Sequence, residues 1–372
     1  MVSKMLTKFT VQNFKRFEKP ITMDWKAANY EFNQECIKNN YVKTALIYGK
    51  NGTGKTNLAW AIFDIVAHLT DNSSRSLPTN NYLNEISNSE FATFEYEFLF
   101  ENTSILYSYK KNDEAELLNE SLKIDGIEYI NYKIGSPFTC LFKGTERLNK
   151  NLDKDNKISA LKYVFNNSAL DRRNSQNKAF SQLFSFINGM LLFRTLLDSR
   201  SYVGYKNGSD HIYRDILKKG NLKDFEKFLN DCEIECELAE TLDEGEPTIG
   251  FKFKNKIIPI SSIGSTGTKS LSLFYFWWQE VKEGKISFLF IDEFDSSYHF
   301  KLSRQIVQRL KEISSQVVLT THNTTLLDND LIRPDCGFKI TGTEITSLHN
   351  STKKDIRLAH NIEKMYRSGS FE

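Results

Sequence analysis

The sequence predicts an α/β fold: a mostly parallel sheet covered on both faces, an antiparallel β-subdomain and an inserted helical lobe. Three observations carry that prediction. Short apolar runs, TALIY (44–48), ISFLFI (286–291) and QVVL (316–319), alternate with segments of helical spacing, as strands buried on both faces do. A glycine-rich turn joins the first run directly to a helix. Between Phe91 and Tyr132 the pattern becomes strictly alternating, which marks half-buried antiparallel strands.

Taken in order, LTKFTVQNFKRFEKPITMDW (6–25) alternates and is rich in aromatic and β-branched residues, predicting a strand or hairpin. TALIY is a buried strand, residues 49–56 form the glycine loop, and NLAWAIFDIVAHL is a helix. FATFEYEFLF, TSILYSYKK and ESLKIDGIEYINY form the antiparallel sheet. From about 155 to 235, including AFSQLFSFINGMLLFRTLLDS and NLKDFEKFLNDC, the spacing reads as helical. PTIGFKFKNKIIPISS returns to strands, and GSTGTKSL (264–271) opens an apolar helix whose Trp277 and Trp278 read as core. ISFLFIDEFD, the helix SRQIVQRLKEIS, QVVLTTHN, a short helical stretch and the strand pair CGFKITGTEITSLH complete the chain. The expected domains are 1–150, with the glycine loop and β-subdomain, 151–240, the helical lobe, and 241–372, which completes the parallel sheet.

Composition excludes several classes. The 372 residues carry 49 basic and 47 acidic side chains, a net charge of +2, so overall electrostatics do not mark a nucleic-acid binder. No apolar run approaches the ~20 residues that cross a bilayer, and a signal-peptide core is missing; a cytoplasmic protein without membrane contact is expected. Five scattered cysteines suit a reducing compartment. Cys232 and Cys236 lack a second ligand pair, so no metal site is expected there. Arg172 and Arg173 read as a surface pair.

The chemistry sits at three strand ends. Gly49-Lys50-Asn51-Gly52-Thr53-Gly54-Lys55-Thr56 matches GxxxxGK[ST]. Asn51, Gly52, Thr53 and Gly54 turn backbone N–H groups around phosphate oxygens, Lys55 reaches the outer phosphates and Thr56 offers a hydroxyl to Mg²⁺. FLFIDEFD (288–295) is a buried run ending in adjacent acids. Asp292 is the expected metal ligand, and Glu293 the residue facing the attacking water. QVVLTTHN puts His322 beyond another strand's carboxyl end, placed to bond the γ-phosphate. Lys55, Glu293 and His322 are the catalytic candidates.

The phosphate loop, GSTGTKSL, FLFIDEFD, DSSYH (295–299) and TTHN together resemble the ATP-binding cassette (ABC) ATPases, in the branch related to SMC, RecF and OLD proteins. The resemblance implies an ABC-type P-loop NTPase fold with ATP and Mg²⁺ as cofactors. On it, Ser265 and Gly267 match the signature that contacts the γ-phosphate of a second subunit, and Asp295 to His299 match the D-loop between subunits. A head-to-tail homodimer or higher oligomer follows. VQNFKRF (11–17) resembles the N-terminal strand of this branch, so Asn13 to Arg16 are expected to help bind nucleotide. The chain departs from the pattern in two places. No glutamine occurs from Glu35 through Ser175, where the family places its Q-loop, so another polar residue takes that task or lobe coupling differs. Thr266 and Thr268 make the signature irregular.

A likeness over nearly the whole chain extends through LNESLKIDG, LIRPD and IEKMYRSGSF to the RloA-like and AbiLi-like AAA-family ATPases of bacteria. These are similar to the ATPase subunit of PARIS-type anti-phage systems, which is paired with a separate toxin or nuclease. The inserted region is too short for an SMC-style coiled coil, and little chain follows His322, so the destructive chemistry is expected on another polypeptide. The sequence therefore predicts a Mg²⁺-dependent ATPase switch in phage defence. A DNA-clamping repair ATPase of RecF or SMC type is the alternative; a transporter subunit and a small-molecule kinase fit less well.

Overall fold

In the computed structural model, residues 4–72, 77–153, 155, 158–171, 173–194, 202–205 and 212–371 are described. The opening stretch is a hairpin of β1 (Lys4–Gln12) and β2 (Ile21–Asp24). A short hairpin, β3 (Ile37–Lys38) and β4 (Tyr41–Val42), precedes β5 (Thr44–Tyr48), all five of whose residues are buried. Helix α1 (Lys55–Leu69) follows the glycine loop. Strands β6 (Ala92–Phe100), β7 (Thr103–Lys111), β8 (Leu117–Ile124), β9 (Ile127–Lys133) and β10 (Thr139–Cys140) form an antiparallel meander. Joined by β1 and β2, they make a seven-stranded sheet in the order β10-β9-β8-β7-β6-β1-β2.

Helices α2 (Ala160–Asn167) and α3 (Ser175–Asn188) come next; α3 bears out the helical reading of 179–199 as far as Asn188, and beyond it that reading fails. Met190–Arg194 is a strand, β11, paired with β12 (Tyr202–Gly204). Gly189 caps α3 with its Cα packed against Ser287, where an added Cβ would lie 2.9 Å from the hydroxyl. The buried run MLLF is too short for periodicity to separate helix from strand. Residues 195–199 of that stretch and Arg172 lie outside the described residues; Arg173 is exposed and pairs with Asp171.

Two helices, α4 (Ile212–Lys218) and α5 (Leu222–Asp231), lead into an antiparallel trio, β13 (Leu238–Asp243), β14 (Glu246–Phe253) and β15 (Lys256–Pro259). A single turn, α6 (Ile260–Ile263), precedes α7 (Thr266–Lys282). Trp277 of α7 is buried against Tyr202 and Phe193, and Trp278 stacks on Phe274, as core aromatics do. The rest is β16 (Phe288–Asp292), α8 (Phe300–Glu312), β17 (Gln316–Thr321), a 3₁₀ turn at 324–326, β18 (Gly337–Ile340), β19 (Ile345–Ser347) and α9 (Ile362–Arg367). The second sheet runs β12-β11-β16-β17-β5-β18-β19. Its five inner strands are parallel and its edges antiparallel. The carboxyl ends of β11, β16, β17 and β5 therefore share one rim, where open α/β sheets bind ligands.

Helix α1 lies between the sheets. Phe63 packs on Phe288 of β16, while Tyr96 of β6 donates its hydroxyl to the Ala61 carbonyl. Gln316 ties the sheets directly: its side chain accepts from the Leu6 N–H and donates to the Leu6 carbonyl, both at 2.9 Å. The buried Asp64 carboxylate accepts from the hydroxyls of Tyr82 and Tyr109, at 2.8 Å each, and from Lys111. Removing one partner of a buried ion pair strands the other charge. Asp64→Asn should thus destabilise the protein by about 3–5 kcal/mol in urea unfolding, and adding Lys111→Met should recover most of the loss.

Candidate functional site

The phosphate loop is shaped by what surrounds it. Gly49 has no room for a side chain, since a Cβ would lie 2.6 Å from the Thr53 hydroxyl and 2.7 Å from the Ile340 carbonyl of β18. Gly54 caps α1 at φ +99°, a backbone region that side chains disfavour, with Phe17 pressed against it. Gly52 also has a positive φ, and the Thr53 hydroxyl donates to the Lys50 carbonyl at 2.9 Å. Lys55 Nζ spans the loop, donating to the carbonyls of Gly49 (2.8 Å) and Lys50 (3.2 Å). Burial lowers its pKa, and Asp292 and Glu293 pull it back up.

Thr56 donates its hydroxyl to Asp292 Oδ2 at 2.8 Å, across 236 positions of sequence. Asp292 ends β16 with no exposure at all. From β17, Thr320 donates to Asp292 Oδ1 at 2.6 Å and accepts the Glu293 N–H at 2.7 Å. Glu293 then breaks the strand at φ +52°. The next threonine, Thr321, donates to both oxygens of Asp295 and accepts from the Asn323 N–H. Burial raises the pKa of Asp295, opposed by the bonds from Thr321 and Asn323. Asn51, Glu293, Asp295 and His322 meet around a cleft of about 370 Å³ that Tyr298 and Phe300 also line. Burial, then the charge of Lys55, holds the His322 pKa below its usual value against the pull of the three acids. The imidazole is accordingly neutral at pH 7, able both to donate and to accept.

Ser265 and Gly267 stand apart from that group. Ser265 caps α7, accepting the Thr268 N–H at 3.1 Å, and is exposed. An added Cβ on Gly267 would come 3.0 Å from the Ser297 carbonyl, and Ser270 bonds the Tyr298 hydroxyl. The signature segment is thus laid on the 295–299 stretch; among the described residues neither Ser265 nor Gly267 has a hydrogen bond to residues 49–56.

Asn13 is not free for a ligand, because its buried amide bonds the Ser89 and Phe91 carbonyls and the Asn84 N–H. Arg16, with Lys15, Lys19, Asn57 and Trp60, lines a groove of about 750 Å³, and its side chain lies beside the loop, 3.8 Å from where a Gly54 Cβ would sit. Sequence reasoning missed Arg194. It ends β11 opposite Asp292, with Nε 2.9 Å from Asp292 Oδ2 and a terminal nitrogen 3.7 Å from Glu293. Its signal was a short apolar run ending in a cation.

Among the described residues, no cluster of three or more His, Cys, Asp or Glu side chains could cage a metal. The pKa of the free thiols of Cys232 and Cys236 is pushed up to about 11, chiefly by burial. The Thr56 hydroxyl and Asp292 carboxylate are a donor set suited to Mg²⁺, which relies on one or two carboxylates plus substrate phosphates and water.

Two outcomes follow from this geometry. Thr320→Val keeps the shape but strips a partner from Asp292 and from the Glu293 N–H, costing about 1–3 kcal/mol in urea unfolding, with Thr320→Ser largely restoring stability. ATP hydrolysis that uses neutral His322 should hold its rate down to about pH 6.5, the ordinary histidine value, and fall only at more acidic pH. A pH–rate inflection above that point, abolished by His322→Asn, would count against the assigned state.

Comparison with solved structures finds likeness at low identity. An SMC head bound to the C-winged helix domain of ScpA is 13% identical, over 92% of this chain and 97% of that chain, with a TM-score of 0.46. The SMC head domain from Thermotoga maritima is 15% identical, over 92% and 98%, with a TM-score of 0.44. The recombination mediator RecF with ATP is 15% identical, over 93% and 100%, with a TM-score of 0.39. No curated protein matches the sequence. A family profile matches residues 45–328, a span that holds the phosphate loop, both acids and His322. The chain belongs to that family, described as "AAA domain, putative AbiEii toxin, Type IV TA system".

Proposed function

We propose that this protein is a Mg²⁺-dependent ATPase that works as a switch in a bacterial anti-phage system, with the destructive chemistry on a separate effector. The observation that carries the catalytic half is the 2.8 Å bond from Thr56 to Asp292. It brings a hydroxyl of the phosphate loop and the carboxylate of the acidic strand end together, the two side chains that would hold a divalent ion. Lys55 and the loop N–H groups would hold the phosphates, and Thr56 and Asp292 the metal. Mg²⁺ would neutralise charge on the phosphate oxygens. Glu293 and neutral His322, on the shared cleft, would orient and deprotonate the attacking water.

The regulatory half is supported by the family description, which names a "putative AbiEii toxin, Type IV TA system". It is supported also by the exposed signature turn. Among the described residues Ser265 and Gly267 make no hydrogen bond to their own phosphate loop, which suits contact with the nucleotide of a second copy in a head-to-tail dimer.

Glu293→Gln should lower kcat by about 100-fold or more, the usual scale for a positioned base, with ATP affinity nearly unchanged in equilibrium dialysis. A parental rate would remove Glu293 from the mechanism. The same variant, purified from its native host with Mg-ATP, should retain a stoichiometric protein identifiable by mass spectrometry. Nuclease-sensitive DNA without such a protein, and turnover stimulated by DNA, would favour the repair clamp instead.

A further inference from the structure

Among the described residues, a cation from outside the phosphate loop reaches the acidic pair from the neighbouring strand. Strands β11 and β16 run parallel with Arg194 directly beside Asp292 in the register. The guanidinium therefore reaches the rim where the four strand ends converge. Arg194 Nε is 2.9 Å from Asp292 Oδ2, the oxygen that also accepts from Thr56, and a terminal nitrogen is 3.7 Å from Glu293 Oε2. Proximity here does not make a hydrogen bond. The Nε–H is buried, is not aligned on the carboxylate and has no other acceptor. The guanidinium charge is met by the carboxylate at this distance, while the buried Nε–H lacks a hydrogen bond that a better-placed acceptor would supply.

We propose that Arg194 is the resident counter-cation of the acidic pair: it holds Asp292 until Mg²⁺ takes that carboxylate, and then turns its guanidinium to a phosphate oxygen of the nucleotide. Charge explains the first state. Among the described residues, Lys55 and Arg194 bring positive charge to Asp292 and Glu293, and Arg194 is the one that pairs directly with the buried Asp292 carboxylate. Competition explains the exchange, because Thr56 and Arg194 share an oxygen of Asp292, the carboxylate that would hold the metal. Geometry explains the destination. A guanidinium offers a planar fork of donors that matches phosphate oxygens, and the donor it frees is the one now lacking an acceptor.

The phosphate half rests on the ATPase reading; the competition half does not, and the experiment separates them. Mn²⁺, as a probe for Mg²⁺, is titrated without nucleotide and followed by electron paramagnetic resonance, with thermal unfolding in EDTA alongside. Arg194→Ala should bind Mn²⁺ about tenfold more tightly, as expected when a competing charge near a carboxylate is removed, and should melt earlier in EDTA. With Mg-ATP its kcat should fall about 100-fold, the scale of losing one transition-state donor, with KM little changed. Arg194→Lys should restore the melting temperature in EDTA but not kcat, since an ammonium supplies charge without the fork. If the alanine variant does not fold, the lysine variant carries the kcat test. Unchanged Mn²⁺ affinity overturns the counter-cation role. Tighter Mn²⁺ binding with parental kcat overturns the phosphate role, and a parental protein that hydrolyses no ATP overturns the ATPase reading while leaving the Mn²⁺ result to stand by itself.

Discussion

A carboxylate with no solvent exposure organises the site. Burying Asp292 is unfavourable unless its oxygens are bonded and its charge is met, and three side chains from three other segments do this: Thr56 from the start of α1, Thr320 from β17 and Arg194 from β11. They converge only because of the order β11-β16-β17-β5, which places the strand of Asp292 between those of Arg194 and Thr320. Moving β11 or β17 away from β16 would leave the carboxylate buried without one of its partners. The sheet order and the buried acid are in that sense one constraint.

Helix α1 carries this constraint into the rest of the molecule. Its first turn supplies Lys55 and Thr56, and its body is buried between the two sheets, with Asp64 gripping three side chains of the antiparallel layer and its approaches. Phe17, from the connection after β1, presses on Gly54 at the helix start, and Gln316 bonds β1 to the first residue of β17. A shift of the phosphate loop must therefore strain the antiparallel sheet as well. Close-packed interiors transmit such strain because they hold few voids to absorb it.

Much of this was legible in the sequence wherever the signal was contiguous. TALIY with its glycine loop, FLFIDE and QVVLTTH each combine an apolar run with an abrupt polar end, so strand, strand end and functional side chain are read together. What required non-local pairing was not legible. Met190–Arg194 follows α3 with only Gly189 between them, and its partner strand lies almost a hundred residues on, so neither the strand nor its terminal arginine was apparent. Asp64 looked like an ordinary charge on an amphipathic helix because its three partners come from residues 82–111. Asn13 was expected at nucleotide through a family pattern, yet its amide bonds belong to the loop before β6.

The two threonines of TTHN show how one strand end can serve two purposes. Successive residues of a strand point to opposite faces, so Thr320 and Thr321 reach different partners from adjacent positions. Thr320 holds Asp292 and the Glu293 N–H, while Thr321 holds Asp295, where the stretch that carries the signature turn begins. His322, the next residue, lines the cleft between Glu293 and Asp295. On the proposed reading, a second copy that pressed on the 295–299 stretch would act on Asp295, and through Thr321 on the strand end that sets Glu293 and His322. Hydrolysis and assembly would then be linked through three consecutive residues of β17 and its exit, without any relay across the core.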